Sequence, residues 1–193
     1  MRLPHTRRES GFTLVELMVT LAVMAIVLAA AAPSFADFFD KYRLRGAADA
    51  VVSMVSNARA EAVKMDQDVN VAFTGSGTAW CVGASAAGTP TGGNRAGAAS
   101  ACDCTDTSAC QVSGARMAIE PDAFPDVAIG SLPAAMIFDS KLGTVAPLGN
   151  RAVTLTSPKG KYDVQVQVNA LGQASTCVPS TKPAIAGIST CPP

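Results

Sequence analysis

The chain has 193 residues, enough for one membrane-spanning helix and one globular domain of ordinary size. Its 15 basic and 15 acidic side chains balance, which excludes a strong general attraction for polyanions. Aromatic residues make up only 5% of the chain, while Ala, Gly, Ser and Thr are abundant. This composition is typical of a surface protein with long loops and does not favour a large hydrophobic enzyme core.

A long apolar stretch near the amino terminus contains a single carboxylate. Residues 12–32 supply 21 positions, interrupted only by Glu16 and two threonines, and about 20 apolar residues cross a bilayer as a helix. Arg2, Arg7 and Arg8 precede the stretch, so the positive-inside rule places the first residues in the cytoplasm and exports the rest. A carboxylate deep in a membrane costs roughly 2.5 to 3.5 kcal/mol. We therefore expect Glu16 to have a cationic partner.

Two ordinary export signals are alternative interpretations of this region. A secretory signal peptide would have its apolar core at 17–28, followed by a small-residue cleavage site. That interpretation leaves Glu16 without a role, and Pro33 disfavours cleavage after Ala32. A twin-arginine signal at Arg7-Arg8 lacks the apolar residues expected directly after the pair.

The segment Gly11-Phe12-Thr13-Leu14-Val15-Glu16 resembles the class III leader junction of type IV pilins and type II secretion pseudopilins. In that family a prepilin peptidase cleaves after the glycine and methylates the new amino terminus. The resemblance implies cleavage between Gly11 and Phe12, and pairing of Glu16 with the amino terminus at Phe12 of a neighbouring subunit. Such a pair would offset part of the desolvation cost of the carboxylate. Removal of the leader would leave 12 Lys and Arg against 14 Asp and Glu.

The apolar periodicity continues beyond the predicted membrane span at a spacing of three to four residues. The recurring residues are Leu44, Ala47, Ala48, Val51, Val55, Ala58, Ala62 and Met65. This spacing predicts an amphipathic helix docked on a sheet, with Pro33 kinking the helix before it. We predict a cleaved leader at 1–11, a transmembrane helix at 12–33, an amphipathic periplasmic helix at 34–66 and a β-rich head at 67–193.

From residue 69 the hydrophobic period changes to two, which indicates strands. Val69, Val71 and Phe73 predict one strand, with residues 80–82 as its hairpin partner, and Gly83 to Gly114 is predicted as a long surface loop. Further strands are predicted at 116–119, 135–139, 152–156 and, most clearly, 162–168, which should be antiparallel and exposed on one face. A helix followed by strands predicts an α+β fold.

The carboxyl-terminal half carries a second resemblance. Its pattern of strands and turns is similar to that of the GspH/FimT family, which comprises minor pilins and one pseudopilin. The segments that carry the resemblance are, in order, Ile137-Phe138-Asp139, Leu142-Gly143-Thr144, 153–155 and 164–172. That resemblance implies a type IV pilin-like fold, in which a long amino-terminal helix packs on an antiparallel β-sheet head.

Six cysteines lie on the predicted exported side, where disulfides are the expected state. They are Cys81, Cys102, Cys104, Cys110, Cys177 and Cys191. Cys177 with Cys191 is the preferred local pair, because it would close a proline-rich tail. Cys102 and Cys104 are too close for a relaxed mutual bridge, so we divide them between Cys81 and Cys110 in an order that the sequence leaves open.

The sequence offers weak evidence for metal binding or catalysis. Thiolates at Cys102, Cys104 and Cys110 are an alternative zinc site, but the CxxC spacing of zinc ribbons is absent and the only histidine, His5, lies in the predicted leader. Without that histidine the chain has no Ser-His-Asp or Cys-His arrangement. We therefore expect no enzyme activity, no metal and no cofactor.

DNA capture is a further alternative, because some FimT-type pilins bind DNA through a Gly-Arg-x-Arg motif. The matching positions here are Gly172-Gln173-Ala174-Ser175, and both arginines are missing. Arg151, Lys159, Lys161 and Lys182 are weak candidates for a small basic patch.

The resemblances imply a structural subunit. The expected function is that of a minor type IV pilin at or near the pilus tip that helps to prime assembly; the alternative is the corresponding type II secretion pseudopilin. The expected partners are other minor pilins, the major pilin, the prepilin peptidase and the inner-membrane assembly platform. The expected location is the inner membrane, with the head in the periplasm, and then the pilus surface.

Overall fold

The computed structural model describes residues 11–86, 102–130 and 132–192. Contacts divide the chain into two units, one ending at Phe39 and the other beginning at Asp40. We call residues 11–39 the stem and the described residues from Asp40 onward the head. The predictions for residues 1–10 and for 87–101 of the predicted loop lie outside the described residues.

One helix, α1 (Leu14–Met65), contains Pro33 and ends one residue before the predicted boundary. In the head, seven of the eight residues of the predicted apolar face are buried, and the eighth, Met65, is partly buried against the core. The prediction of this face is therefore confirmed. The helix buries two further residues that the apolar pattern did not include, Asp40 and Met54.

Eleven strands are found in the described part of the head. They are β1 (Val69–Ser76), β2 (Ala79–Ala86), β3 (Gln111–Val112), β4 (Ala115–Arg116), β5 (Ala118–Ile119), β6 (Ala128–Ile129), β7 (Met136–Phe138), β8 (Val145–Ala146), β9 (Arg151–Thr156), β10 (Asp163–Val168) and β11 (Ala174–Cys177). A 3₁₀ turn covers Pro121–Ala123. The strands form a five-stranded sheet in the order β5-β2-β1-β7-β8, a four-stranded sheet in the order β11-β10-β9-β6, and the short pair β3-β4.

The predicted first hairpin is present, with Phe73 opposite Val82 and Val69 opposite Ala86. Strand β2 continues to Ala86, so the prediction that the loop begins at Gly83 is wrong. Gly, Ala and Ser have weak strand propensity by themselves. Full-length pairing with β1 supplies the backbone hydrogen bonds that hold residues 83–86 in the strand.

Strand β10 pairs antiparallel with β9 and β11, and buried residues alternate along its whole length, as predicted. The face that was predicted to be exposed is half-buried, because its glutamines contact Thr154 and each other. Four strands had no sequence prediction: β6, β8, β11 and β3, which lies inside the predicted loop and contradicts that prediction at residues 111–112. Each has two to four residues, which is too short for a period-two pattern to be recognised.

Helix α1, both larger sheets and the buried segments between them share one apolar core in the head. Arg59 also ties the helix to the turn at Gly143, because its Nε donates a hydrogen bond to Gly143 O at 2.9 Å. Gly143 and Gly172 both have positive φ, and a methyl group on Gly172 would lie 2.5 Å from Gly143 O. Only glycine fits this close approach without strain. The architecture is α+β, with antiparallel sheets packed on the long helix, as predicted.

Candidate functional site

The predicted processing junction lies just outside the helix. Gly11 and Phe12 precede the first helical residue, Phe12 is 76% exposed, and no atom lies within 4 Å of the position that a side chain on Gly11 would occupy. The geometry at the Gly11-Phe12 bond is compatible with cleavage there.

Thr13 defines the start of the helix. Its Oγ1 accepts a hydrogen bond from the backbone N–H of Glu16 at 3.2 Å, and its carbonyl accepts one from Leu17 N at 3.1 Å. The sequence Thr-x-x-Glu at this position is the pattern of a capping box. Glu16 also lies in the first turn, where a negative charge interacts favourably with the helix dipole. The helix cap at Thr13 is a local feature that sequence reasoning missed, although the Thr-x-x-Glu spacing was a signal for it.

The carboxylate of Glu16 has no cationic partner among the described residues. It lies in an apolar helical stretch whose side chains are exposed, and the most apolar 18-residue window has a mean hydropathy of 2.5 with none of its residues buried. By length and composition this helix can cross a membrane. The stem therefore presents a continuous apolar surface and one unpaired carboxylate to whatever surrounds it.

In the head, the six cysteines form three disulfides. The pairs are Cys81–Cys104, Cys102–Cys110 and Cys177–Cys191, with Cα–Cα distances of 6.0, 5.2 and 4.8 Å. These pairs include the preferred tail bridge, and they supply the order that the sequence left open for Cys102 and Cys104. Among the described residues, no group of three or more His, Cys, Asp or Glu side chains could hold a metal ion.

The first two disulfides lie against strand β2. A side chain at Gly83 would clash with the sulfur atoms of Cys102 and Cys110. The hydroxyl of Thr74 lies 3.1 Å from the sulfur of Cys81 and 2.9 Å from that of Cys104. The guanidinium of Arg116 adds a hydrogen bond to Cys104 O at 3.1 Å. The described part of the predicted loop, residues 102–114, is thereby fixed to the sheet.

The Cys177–Cys191 bridge fixes the carboxyl-terminal tail in the same way. Val178 N donates to Ser189 O at 2.8 Å, and Cys191 N donates to Val178 O at 2.9 Å. The tail therefore continues the hydrogen bonding at the edge of the four-stranded sheet, where β11 would otherwise have an open side.

Three of the four basic candidates lie at or beside one turn. Lys159 and Lys161 belong to the turn between β9 and β10, and Lys182 donates a hydrogen bond to Gly160 O of that turn at 3.1 Å. Lys182 also pairs with Asp163 at 3.4 Å, which reduces the net positive charge. Lys161 lies 5.2 Å from the centre of the Tyr162 ring.

Arg151 lies at the other end of β9. Arg151 pairs with Val168, whereas Thr156, at the end of β9 beside the turn, pairs with Asp163. Because Arg151 and Thr156 are five residues apart along the strand, roughly 17 Å separates them. The Arg151 guanidinium donates to Pro147 O at 3.0 Å and to Asn150 O at 3.2 Å. The structure therefore does not bring the four predicted residues together as one basic patch.

Asp40 is a buried charged residue that sequence reasoning missed. It is only 4% exposed, and its Oδ1 accepts a hydrogen bond from Lys159 N at 3.2 Å. Its Oδ2 is buried and has no hydrogen-bond partner within the described part of the chain. Asp40 therefore holds the β9–β10 turn against the start of the head part of α1. Its position four residues before the buried Leu44 was the available signal, because residues at that spacing share a helix face.

Two family models match the chain. The model described as the prokaryotic N-terminal methylation motif matches residues 6–32. The model described as type II transport protein GspH matches residues 47–172, more than half of the chain. No curated protein and no solved structure matches the sequence. The chain therefore belongs to the GspH family of type IV pilin-like proteins and pseudopilins, with a class III leader and methylation motif at its amino terminus.

Proposed function

We propose that this chain is a minor type IV pilin, a structural subunit at or near the pilus tip that helps to prime assembly. The observation that supports this proposal is the unpaired carboxylate of Glu16 in an exposed apolar helix. Burial of that charge in lipid costs roughly 2.5 to 3.5 kcal/mol. A cationic amino terminus on a neighbouring subunit offsets part of this cost only after the helices have come together, so the carboxylate favours assembly.

The proposed sequence of events begins with cleavage between Gly11 and Phe12 by a prepilin peptidase and methylation of Phe12. The stem then holds the subunit in the inner membrane with its head in the periplasm. The inner-membrane platform extracts it into a bundle with other minor pilins and the major pilin, and the head reaches the cell surface. This role is structural and needs no catalytic residue and no cofactor.

The local role of Glu16 in the capping box can be separated from its role in assembly. Glu16→Gln retains a side chain that suits the third helical position but removes the charge. Thr13→Ala removes the observed cap and keeps the charge. We expect the Gln variant to remain membrane-bound but to be lost from sheared filaments, whereas the Ala variant is incorporated.

Mass spectrometry of both membrane-extracted variants is the control, because each should begin at methylated Phe12. A chain beginning at Pro33 or Asp37 would instead indicate a cleaved signal peptide and contradict the proposal. Normal incorporation of the Gln variant would contradict the proposed pairing.

The second candidate is a type II secretion pseudopilin, which the description of the matching family model favours. The two candidates share the leader, the stem and the head fold. Deletion of the chain in its native host separates them: loss of surface pili with normal secretion supports the pilin, and accumulation of secreted enzymes in the periplasm with normal pili supports the pseudopilin.

A further inference from the structure

We propose that a cleft at one end of the four-stranded sheet binds a sugar that carries a carboxylate, such as a uronic acid unit of a polysaccharide. The cleft has a volume of about 350 Å³, which lies within the usual range for small-ligand sites. We call it the amide cleft, because Gln167, Asn169 and Gln173 line it together with Arg151 and Ser175. The proposal goes beyond the assembly role and does not depend on it.

The pairing of three strands forms the floor of the amide cleft. Gln167 of β10 pairs with Ala152 of β9 on one side and with Ser175 of β11 on the other. Cross-strand partners lie on the same face of a sheet. The next residue of β10, Val168, is buried in the core, so this row lies on the outer face. Because Ala152 and Ser175 are small, the surface is depressed on both sides of the glutamine.

Hydrogen bonds within the protein orient the amide groups of the cleft. Gln167 Nε2 donates to Gln165 Oε1 at 2.8 Å, which leaves the amide oxygen of Gln167 as an acceptor. Asn169 Nδ2 donates to Gln173 Oε1 at 3.0 Å, which leaves the amide nitrogen of Gln173 as a donor. The hydroxyl of Ser175 can donate or accept. Such a surface complements a ligand with several hydroxyl groups, because each hydroxyl also donates and accepts.

Arg151 gives the cleft its charge. It is the only charged residue among the described residues that line the cleft, and it forms no ion pair within that part of the chain. Its hydrogen bonds to Pro147 O and Asn150 O use two of five N–H groups and fix the guanidinium. Its Nε is buried without a hydrogen-bond partner among the described residues. A fixed cation without a compensating anion attracts a carboxylate.

The composition of the cleft favours a carboxylated sugar over a nucleic acid. Binding of single-stranded nucleic acid depends on several cations along the backbone and on aromatic rings that stack on the bases. The described lining of the cleft contains one cation and no aromatic ring. A single carboxylate needs only one cation, and the amides and the hydroxyl are then available to the hydroxyl groups of the sugar.

A peptide is also a poorer match to the cleft. Extended peptides are recognised through strand edges and through pockets for alternate side chains. The floor of the amide cleft is instead the face of three paired strands. Its apolar lining is limited to Ala152, Val168 and Pro192.

Titration of the full-length, isotope-labelled chain with trigalacturonate tests the proposal, in micelles of a detergent that has no sugar headgroup. Nuclear magnetic resonance follows the side-chain amides of Gln167 and Gln173. The control ligand is the methyl ester of the same trimer, which keeps the hydroxyl groups and removes the charge. We expect saturable shifts with trigalacturonate and about tenfold weaker binding of the ester, because the charge-assisted hydrogen bond is lost.

Three variants locate the binding. Arg151→Gln should weaken trigalacturonate binding by about tenfold. Lys159→Gln changes the net charge equally beside the turn at the other end of β9, and should leave binding unchanged. Ala152→Gln fills the floor beside Gln167 and keeps the charge, so it should abolish the shifts. Because Ala152 is exposed, this variant decides the question even if Arg151→Gln does not fold.

Several results would overturn the proposal. Equal binding of the acid and its ester would show that the carboxylate is not recognised, and equal weakening by Arg151→Gln and Lys159→Gln would show that the attraction is not local to the cleft. Tighter binding of oligothymidylate or of trialanine at the same amides would assign the cleft to a nucleic acid or a peptide. Absence of saturable shifts with trigalacturonate, or normal shifts in Ala152→Gln, would also overturn it. None of these results bears on the assembly role proposed for Glu16.

Discussion

The stem and the head contain parts of one continuous helix, and both parts are rich in apolar residues. In the stem, Leu21 and Ile26 are 58 and 70% exposed, whereas Leu44 and Val55 in the head are fully buried. The residues are of similar type, so hydropathy does not distinguish them. The difference is in what packs around the helix: two sheets cover these side chains in the head, whereas those of the stem are exposed.

The largest expected effect comes from making the same substitution in both parts of the helix. Leu44→Ala should lower the free energy of unfolding of the head by about 2 to 5 kcal/mol, because it leaves a cavity in a packed core. Leu21→Ala should change it by less than about 0.5 kcal/mol, since exposed side chains contribute little to folding.

Urea unfolding in mild detergent, followed through the fluorescence of Trp80, measures both values. Trp80 is a suitable reporter because it is buried and its indole N–H donates to Val127 O at 2.8 Å. Equal effects of the two substitutions would contradict the distinction between an exposed stem and a buried head helix.

A second comparison tests whether the head also depends on close backbone contacts. Gly172 and Gly77 both have positive φ, but only a methyl group on Gly172 would meet another atom, Gly143 O. Both alanine substitutions should cost about 1 to 2 kcal/mol for the backbone conformation. Gly172→Ala should cost about 1 to 3 kcal/mol more for the crowding.

The same unfolding measurement checks this prediction, with Gly77→Ala as the control for conformation alone. Equal losses for the two variants would show that the turns at Gly143 and Gly172 move apart without cost, and that Arg59 does not hold them together.

The smallest expected effect is a pH dependence at the surface of the head. Ser113 donates a hydrogen bond to Glu61 Oε2 at 2.6 Å. This hydrogen bond lowers the pKa of Glu61 from its ordinary value of 4.5, and Lys64 makes a weaker contribution in the same direction. Because the folded-state pKa is the lower one, the ionised carboxylate stabilises the head above about pH 4.5, and this contribution is lost as the pH falls through the folded-state pKa.

Ser113→Ala should therefore lower the stability slightly at neutral pH and leave it unchanged at a pH where Glu61 is protonated. Urea unfolding at a series of pH values measures the difference. A loss that is independent of pH would assign the effect of Ser113 to its other contact, with Met65 Sδ at 2.7 Å.

The sequence predicted the features that repeat or that belong to a specific motif. The helix face from Leu44 to Ala62 and strand β10 were predictable because each repeats its period several times. The leader and methylation motif was predictable because its pattern is highly specific. The short strands β6, β8 and β11 carry no such repetition, and β6 pairs with a strand that is distant in the chain, with Ala128 opposite Thr156.

Several contacts could not be predicted, because they join residues that are far apart in the sequence. Asp40 meets Lys159, and Arg59 meets Gly143. The fit of Gly83 beneath two disulfides likewise depends on the path that residues 102–110 take over strand β2.

The amino-acid sequence by itself determined the helix, the apolar span with its carboxylate, the leader junction and the α+β order of elements, because these depend on local spacing and composition. Only the tertiary structure decided how Cys81, Cys102, Cys104 and Cys110 pair, which cations are neutralised and which side chains of the helix are buried in the head. Those outcomes depend on distances between segments that the chain brings together only when the sheets pack on the helix.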